Sequence, residues 1–215
     1  MVKQYELDFE GSWINELFQW ADNNHIPELQ YYEDLWDEGN DEWIDHGFWI
    51  GLPRNKEALL SLEELDLSWH SCSQIPDQIR HLTKLKALRF AKRPDGLQPP
   101  FSILANGQAA IEEIPDWISQ LENLEEMDLS GNKIKYIPAR VAKLKRLKKL
   151  YLHENKIAHF DQKVSNLDSL EVLWVYGNHL STLKEKKIIL GMKNLKELWC
   201  DGLDGSEYGP FIIKE

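Results

Sequence analysis

Five side chains in the last third of the chain are suited to gripping another molecule: Tyr151, His153, Trp174, Tyr176 and Trp199. Tyr151 and Trp174 are 23 residues apart, as are His153 and Tyr176. Large rings with a polar tip, repeated at a fixed period, suit contact and hydrogen bonding, and truncating such an anchor in an interface commonly costs about 2–4 kcal/mol. Bond-breaking chemistry finds less support. His153 lacks the Asp, Glu or Cys company that makes a histidine a general base or a metal ligand. The chain has no G-x-S-x-G elbow, no G-x-x-x-x-G-K-[ST] phosphate cradle, no H-E-x-x-H and no C-x-x-C. The acidic run Glu33 to Asp45 cannot be laid onto a calcium loop, which needs acids at positions 1, 3, 5 and 12 with Gly at 6. No catalytic, metal or cofactor residue is therefore assigned, and the expectation is a non-enzymatic protein.

Those rings fall in a repeating phrase that must position them. Leu62-Glu-Glu-Leu65-Asp-Leu67, Leu85-Lys-Ala-Leu88-Arg-Phe90, Leu124-Glu-Glu-Met127-Asp-Leu129, Leu147-Lys-Lys-Leu150-Tyr-Leu152, Leu170-Glu-Val-Leu173-Trp-Val175 and Leu195-Lys-Glu-Leu198-Trp-Cys200 share one pattern. Three of them close on Asn132, Asn155 and Asn178, each 23 residues from the next, whereas His70 and Arg93 stand where the first two would place Asn. A period in the twenties means strand-turn units that cannot bury their apolar edge alone, so six strands are predicted. A second half recurs as Ile75-Pro76 with Ile79 and Leu82, Ile114-Pro115 with Ile118 and Leu121, and Ile137-Pro138 with Val141 and Leu144. Leu52-Pro53 with Leu59 and Leu62 is a degenerate copy. Proline presets the first turn of a short helix, and apolar residues at steps of three then face inward.

Over roughly residues 50–204 these phrases resemble the leucine-rich repeat family, in its 23-residue I-P-x-x-I-x-x-L-x-x-L variety common in bacterial proteins. The resemblance implies an α/β solenoid with a parallel sheet on the concave face, short helical or 3₁₀ turns on the convex face, and Asn side chains laddered inside the turns. An amide can donate to and accept from buried backbone groups, each of which costs roughly 1–3 kcal/mol if left unpaired. The family serves many unrelated binding tasks, so the resemblance speaks to fold more than to function.

In such a sheet the x residues flanking the second Leu leave toward solvent. The central column reads Asp66, Arg89, Asp128, Tyr151, Trp174 and Trp199; the column before it Glu64, Ala87, Glu126, Lys149, Val172 and Glu197; the column after it Ser68, Ala91, Ser130, His153, Tyr176 and Asp201. Solvent-facing strand residues are ordinarily polar, so the gathered rings predict a partner-binding site of Tyr151, His153, Trp174, Tyr176 and Trp199 with Asp128 and Arg89. A competing use of the rings is to be covered by the tail Tyr208-Gly-Pro-Phe211-Ile-Ile213, which is also apolar enough to seal the last strand's edge.

Three segments follow. Residues 1–49 form an acidic, Trp-rich helical cap with five of the nine tryptophans; residues 50–204 form the solenoid; residues 205–215 form a capping tail. Within the cap, Ser12 is a candidate N-cap for a helix to about Asp22, and a second helical stretch is expected from Pro27 to about Asp37. Leu85 and Leu124 are 39 apart, so 16 extra residues form an insertion at about 91–113, read as a loop with Phe101, Ile103 and Leu104 as an apolar clip.

Charge is concentrated at one end. Residues 1–60 hold 14 acids against 3 bases, whereas residues 61–215 hold 22 of each. The run Lys133 to Lys149 carries eight bases and no acid, but the net charge of −11 opposes nucleic acid as a partner. The opening Met1-Val-Lys-Gln-Tyr has no apolar signal region and no uninterrupted apolar run spans a bilayer, so a cytoplasmic protein with no membrane partner is expected; export without a standard signal peptide is the alternative. Cys72 and Cys200 fall at inward positions and read as structural thiols. The function expected is a protein-protein interaction module, monomeric or weakly dimeric. The alternatives are an immunity or inhibitor protein that neutralises a basic toxin, and a host-directed effector.

Overall fold

The computed structural model describes residues 12–32, 35–37, 42–44, 48–68, 70, 72–92, 110–180, 183–201 and 209–212. In chain order come helix α1 (Ser12–Asn23), strands β1 (Gln30–Tyr32), β2 (Leu35–Asp37), β3 (Glu42–Ile44) and β4 (Phe48–Ile50), then helix α2 (Lys56–Ser61). The repeats follow as β5 (Glu64–Asp66), β6 (Ala87–Arg89), β7 (Glu126–Asp128), β8 (Tyr136–Ile137), β9 (Lys149–Tyr151), β10 (His159–Phe160), β11 (Val172–Trp174), helix α3 (Leu183–Leu190), β12 (Glu197–Cys200) and β13 (Gly209–Ile212).

Strands β5, β6, β7, β9, β11 and β12 pair in parallel, one from each L-x-x-L-x-L phrase. The register aligns Leu65, Leu88, Met127, Leu150, Leu173 and Leu198 in one column, and every one of these is buried. Burial of a leucine side chain stabilises by roughly 1.5–3 kcal/mol, so the column is the spine of a continuous core. A single coil has no such partner surface, which is why the units stand only as a stack.

Four of the five returns between the parallel strands are 3₁₀ turns, at Asp77–His81, Asp116–Gln120, Ala139–Lys143 and Gln162–Asn166, and α3 makes the fifth. Pro76, Pro115 and Pro138 occupy the cap position with ψ near 150°, one residue ahead of the helical position expected for them. Their fixed φ suits either place, and the extended ψ is what carries the chain out of the sheet before it turns. The fourth turn has Asp161 in place of proline, and its carboxylate accepts from the Lys163 N–H at 2.9 Å. These turns pack in a row, with α1 against the first and α3 against the last.

The asparagine ladder closes the coils from inside. Asn155 Oδ1 accepts from the Ile134 N–H at 2.9 Å, while its Nδ2 donates to Leu129 O at 2.9 Å and Leu152 O at 3.0 Å. Asn132 and Asn178 repeat this pattern on Ile111 and Phe90, and on Ile157 and Leu152. Each amide thus joins its own coil to the one before. His70 occupies the first such place, 3% exposed, with Nδ1 3.1 Å from Ser68 O. A carbonyl only accepts, so Nδ1 carries the proton there.

The residue before each Asn bends the chain into the left-handed region: Gly131 at φ 69°, Glu154 at 56° and Gly177 at 66°. At Gly131 space also demands glycine, because a Cβ would collide with Lys92 O. The chain is back in register by Ile111, which is buried and donates to Asn132. Phe101, Ile103 and Leu104 of the expected clip lie outside the described residues.

At the N-terminal end α1 buries Ile14, Leu17, Phe18 and Ala21. Arg54 fastens it to the first coil: its guanidinium donates to Phe18 O at 3.0 Å and Ile26 O at 2.8 Å, pairs with Asp22 at 2.9 Å and lies over the Phe18 ring. Among the described residues of 27–37 the expected helix is absent. Instead β1 pairs antiparallel with β4 and β2 with β3. Tyr31-Tyr32 and Leu35-Trp36 are aromatic-rich residues that favour extended backbone, and pairing overrides the weak helical spacing. At the other end β13 pairs antiparallel with the free edge of β12. Cys72 and Cys200 are buried, and burial pushes the Cys72 thiol up to about 12.

Candidate functional site

The parallel register brings the five rings together. Tyr151 and Trp174 are direct neighbours across β9 and β11, and Trp174 and Trp199 across β11 and β12. Tyr151 meets Trp174 edge-on at 5.0 Å between centroids, Trp174 lies 5.4 Å from Trp199, and His153 stacks on Tyr176 at 4.8 Å. His153 also touches Trp174 at 5.7 Å, and Tyr176 lies 6.4 Å from Trp199. All five are half-buried, so each ring supports its neighbours and keeps part of its surface open.

Glu197 fixes the two indoles. Its Oε1 accepts from Trp174 Nε1 at 2.8 Å and from Trp199 Nε1 at 2.9 Å. This residue was not among those expected to form the site, although its position two before Trp199 puts both on one strand face. Burial is the main reason the Tyr151 phenol is pushed up to about 12, and the nearby carboxylates of Glu126, Asp128 and Glu197 add to it.

Asp128 and Arg89 take different places. Asp128 is level with Tyr151 in the register and accepts at Oδ1 from the Ser130 N–H at 2.9 Å and hydroxyl at 2.7 Å. Arg89 is held by Glu126 at 2.7 Å and Glu64 at 3.2 Å, which makes it the bridge between three strands. Glu126 also lies 3.5 Å from Lys149. Burial pushes the Asp66 carboxyl above its ordinary range.

The third column departs from the expected solvent exposure. Ser68, Ala91 and Ser130 are buried, because the chain already turns inward there, and Ser68 Oγ accepts from the Ala91 N–H at 3.1 Å. In the last coil Asp201 instead accepts from the Gly177 and Asn178 N–H groups at 3.0 and 3.2 Å. His153, Tyr176 and Asp201 of that column are half-buried and remain partly open.

Four of the eight bases in the run are paired with acids of the coil before. Lys135 pairs with Glu112, Arg140 with Asp116, Lys148 with Glu125 and Lys149 with Glu126, while Arg146 donates to Asn123. Repetition at 23 residues places opposite charges side by side on adjacent coils. Among the described residues no group of His, Cys, Asp and Glu is placed to hold a metal ion, and no helix is long and apolar enough to cross a membrane.

A family model described as "Leucine-rich repeat region" matches residues 103–203. Among solved structures, an internalin from Listeria monocytogenes superposes with a TM-score of 0.50 at 15% identity, covering 67% of this chain and 36% of that one. Internalin C2 of the same organism gives 0.51 at 21% identity, covering 68% and 56%. This chain thus spans less than two thirds of either internalin, and at these identities the likeness is one of fold. No curated protein matches the sequence significantly. With six strands in phase, the asparagine ladder, the row of 3₁₀ turns and these matches all agreeing, the chain has the leucine-rich repeat fold and resembles that family in sequence over residues 103–203.

Proposed function

We propose that the chain is a protein-recognition module whose binding surface is the concave cluster of Tyr151, His153, Trp174, Tyr176 and Trp199, bordered by Asp128 and Arg89. One observation carries the reading: five rings in continuous contact stand half-buried on a sheet face where polar residues are the norm. Half-buried aromatics have further apolar surface to give up, and such residues dominate interface energetics. The cluster is also pre-ordered by strand register and by Glu197, which lowers the cost of fixing side chains on binding. The reading requires no cofactor, metal or catalytic group.

Affinity enrichment from the native cell, with wild-type protein and a Trp174→Ala/Trp199→Ala variant as parallel baits, tests it. A protein retained by the wild type and lost from the variant is the expected result. Identical sets of retained proteins would remove the cluster from the binding surface.

A further inference from the structure

The wall around the rings is electronegative. Its three columns hold six carboxylates, Glu64, Asp66, Glu126, Asp128, Glu197 and Asp201, against the two cations Arg89 and Lys149. Both cations are already engaged, Arg89 by Glu126 and Glu64, and Lys149 beside Glu126. Asp128 and Glu197 are different. Asp128 accepts from the Ser130 amide and hydroxyl, and Glu197 from two indoles. Among the described residues, neither has a cationic partner within ion-pair distance. Neutral donors orient a carboxylate without cancelling its charge, so negative potential persists on both sides of the ring cluster.

Ring geometry points the same way. Tyr151 and Trp174 meet at 78° and Trp174 and Trp199 at 46°, so adjacent rings turn different faces outward and do not form one flat shelf for a planar ligand. A cation held against an aromatic face is attracted by the negative face of the ring, and a carboxylate within reach adds Coulomb attraction.

We propose that the occupant of this wall is an arginine or lysine side chain from a basic segment of a partner protein, seated against Tyr151 and Trp174 between Asp128 and Glu197. The inference rests on the protein-recognition reading above and narrows it to a chemical class. Arginine fits better than lysine, since a planar guanidinium both stacks on a ring and offers paired donors to a carboxylate.

The test titrates the full chain with hexa-arginine, hexa-lysine and a neutral serine-glycine hexapeptide, following tryptophan fluorescence. Because the acidic leader, residues 1–49, also attracts cations, two variants of equal charge are compared: Asp128→Asn/Glu197→Gln in the wall, and Asp34→Asn/Glu38→Gln in the leader. The expected result is hexa-arginine binding that the wall variant weakens about tenfold and the leader variant by less than about twofold, with loss at high salt. Asp128→Asn alone carries the test if the Glu197 change disturbs the indoles, because an asparagine oxygen still accepts from Ser130.

Equal weakening by the wall and leader variants would overturn the proposal, as would equally tight binding of the neutral peptide. So would a self-associated dimer in sedimentation that Trp174→Leu abolishes, which would make a second copy the occupant. The parent reading fails separately: if partner capture survives Trp174→Ala/Trp199→Ala, protein recognition by this wall is wrong. If capture is lost while hexa-arginine ignores the wall charges, only the cationic inference falls.

Discussion

Glu197 holds Trp174 from the neighbouring strand, with its Oε1 2.8 Å from the indole nitrogen, and the same oxygen accepts from Trp199 at 2.9 Å. One carboxylate therefore sets the pitch of two rings that the sheet register alone would leave free to rotate. Glu197→Ala is expected to alter the near-ultraviolet circular dichroism of the tryptophans while leaving the far-ultraviolet spectrum intact. Glu197→Gln, which keeps an acceptor oxygen, should preserve most of the near-ultraviolet signal. A near-ultraviolet spectrum unchanged in both would mean that the rings are fixed by packing alone.

The ladder makes its own prediction. Asn155 serves a buried N–H and two close carbonyls of different coils, so Asn155→Ala should lower unfolding free energy by about 2–3 kcal/mol in urea titration. Asn155→Asp should fare no better, since it places a carboxylate where Nδ2 faces carbonyl oxygens.

Gly131 and Gly177 share a left-handed backbone but differ in space. Gly131→Ala should destabilise by about 3 kcal/mol or more, because its Cβ would collide with Lys92 O. Gly177→Ala, whose nearest neighbours would be 3.2 Å away, should cost only about 1–2 kcal/mol. Thermal melts of the two variants check the order.

How much of this was legible beforehand follows from where each signal resides. The strands were readable because Leu65 through Leu198 repeat a local phrase, and the third column's inward turn was not, because Ser68 and Ser130 look polar until Asp66 and Asp128 are seen accepting from them. The coil at Gln162–Asn166 escaped the Ile-Pro pattern because Asp161 does proline's work by hydrogen bonding. The extended backbone at Gln30–Tyr32 depends on pairing with Phe48–Ile50, a contact no local spacing reveals. Glu197 could have been found from its i, i+2 relation to Trp199, whereas the convergence of two indoles on it needed coordinates.

His70 gives the fold an acid-sensitive point. Burial lowers its pKa below the ordinary 6.5, so the unfolded chain takes up a proton that the folded chain resists. Its contribution is intact above about pH 6.5 and declines as pH falls below that value. His70→Asn, which restores the ladder residue, should flatten the loss of stability on the acid side when melting temperature is followed against pH. A slope the same as wild type would assign the acid sensitivity elsewhere.

The central claim is that Trp174 anchors a partner from the concave wall. Calorimetric titration of the enriched partner into wild-type and Trp174→Ala protein measures this most directly, and the account predicts a loss of about 2–4 kcal/mol in binding free energy, roughly 30-fold to 1,000-fold in Kd. A folded Trp174→Ala protein that binds the partner with unchanged Kd would contradict it.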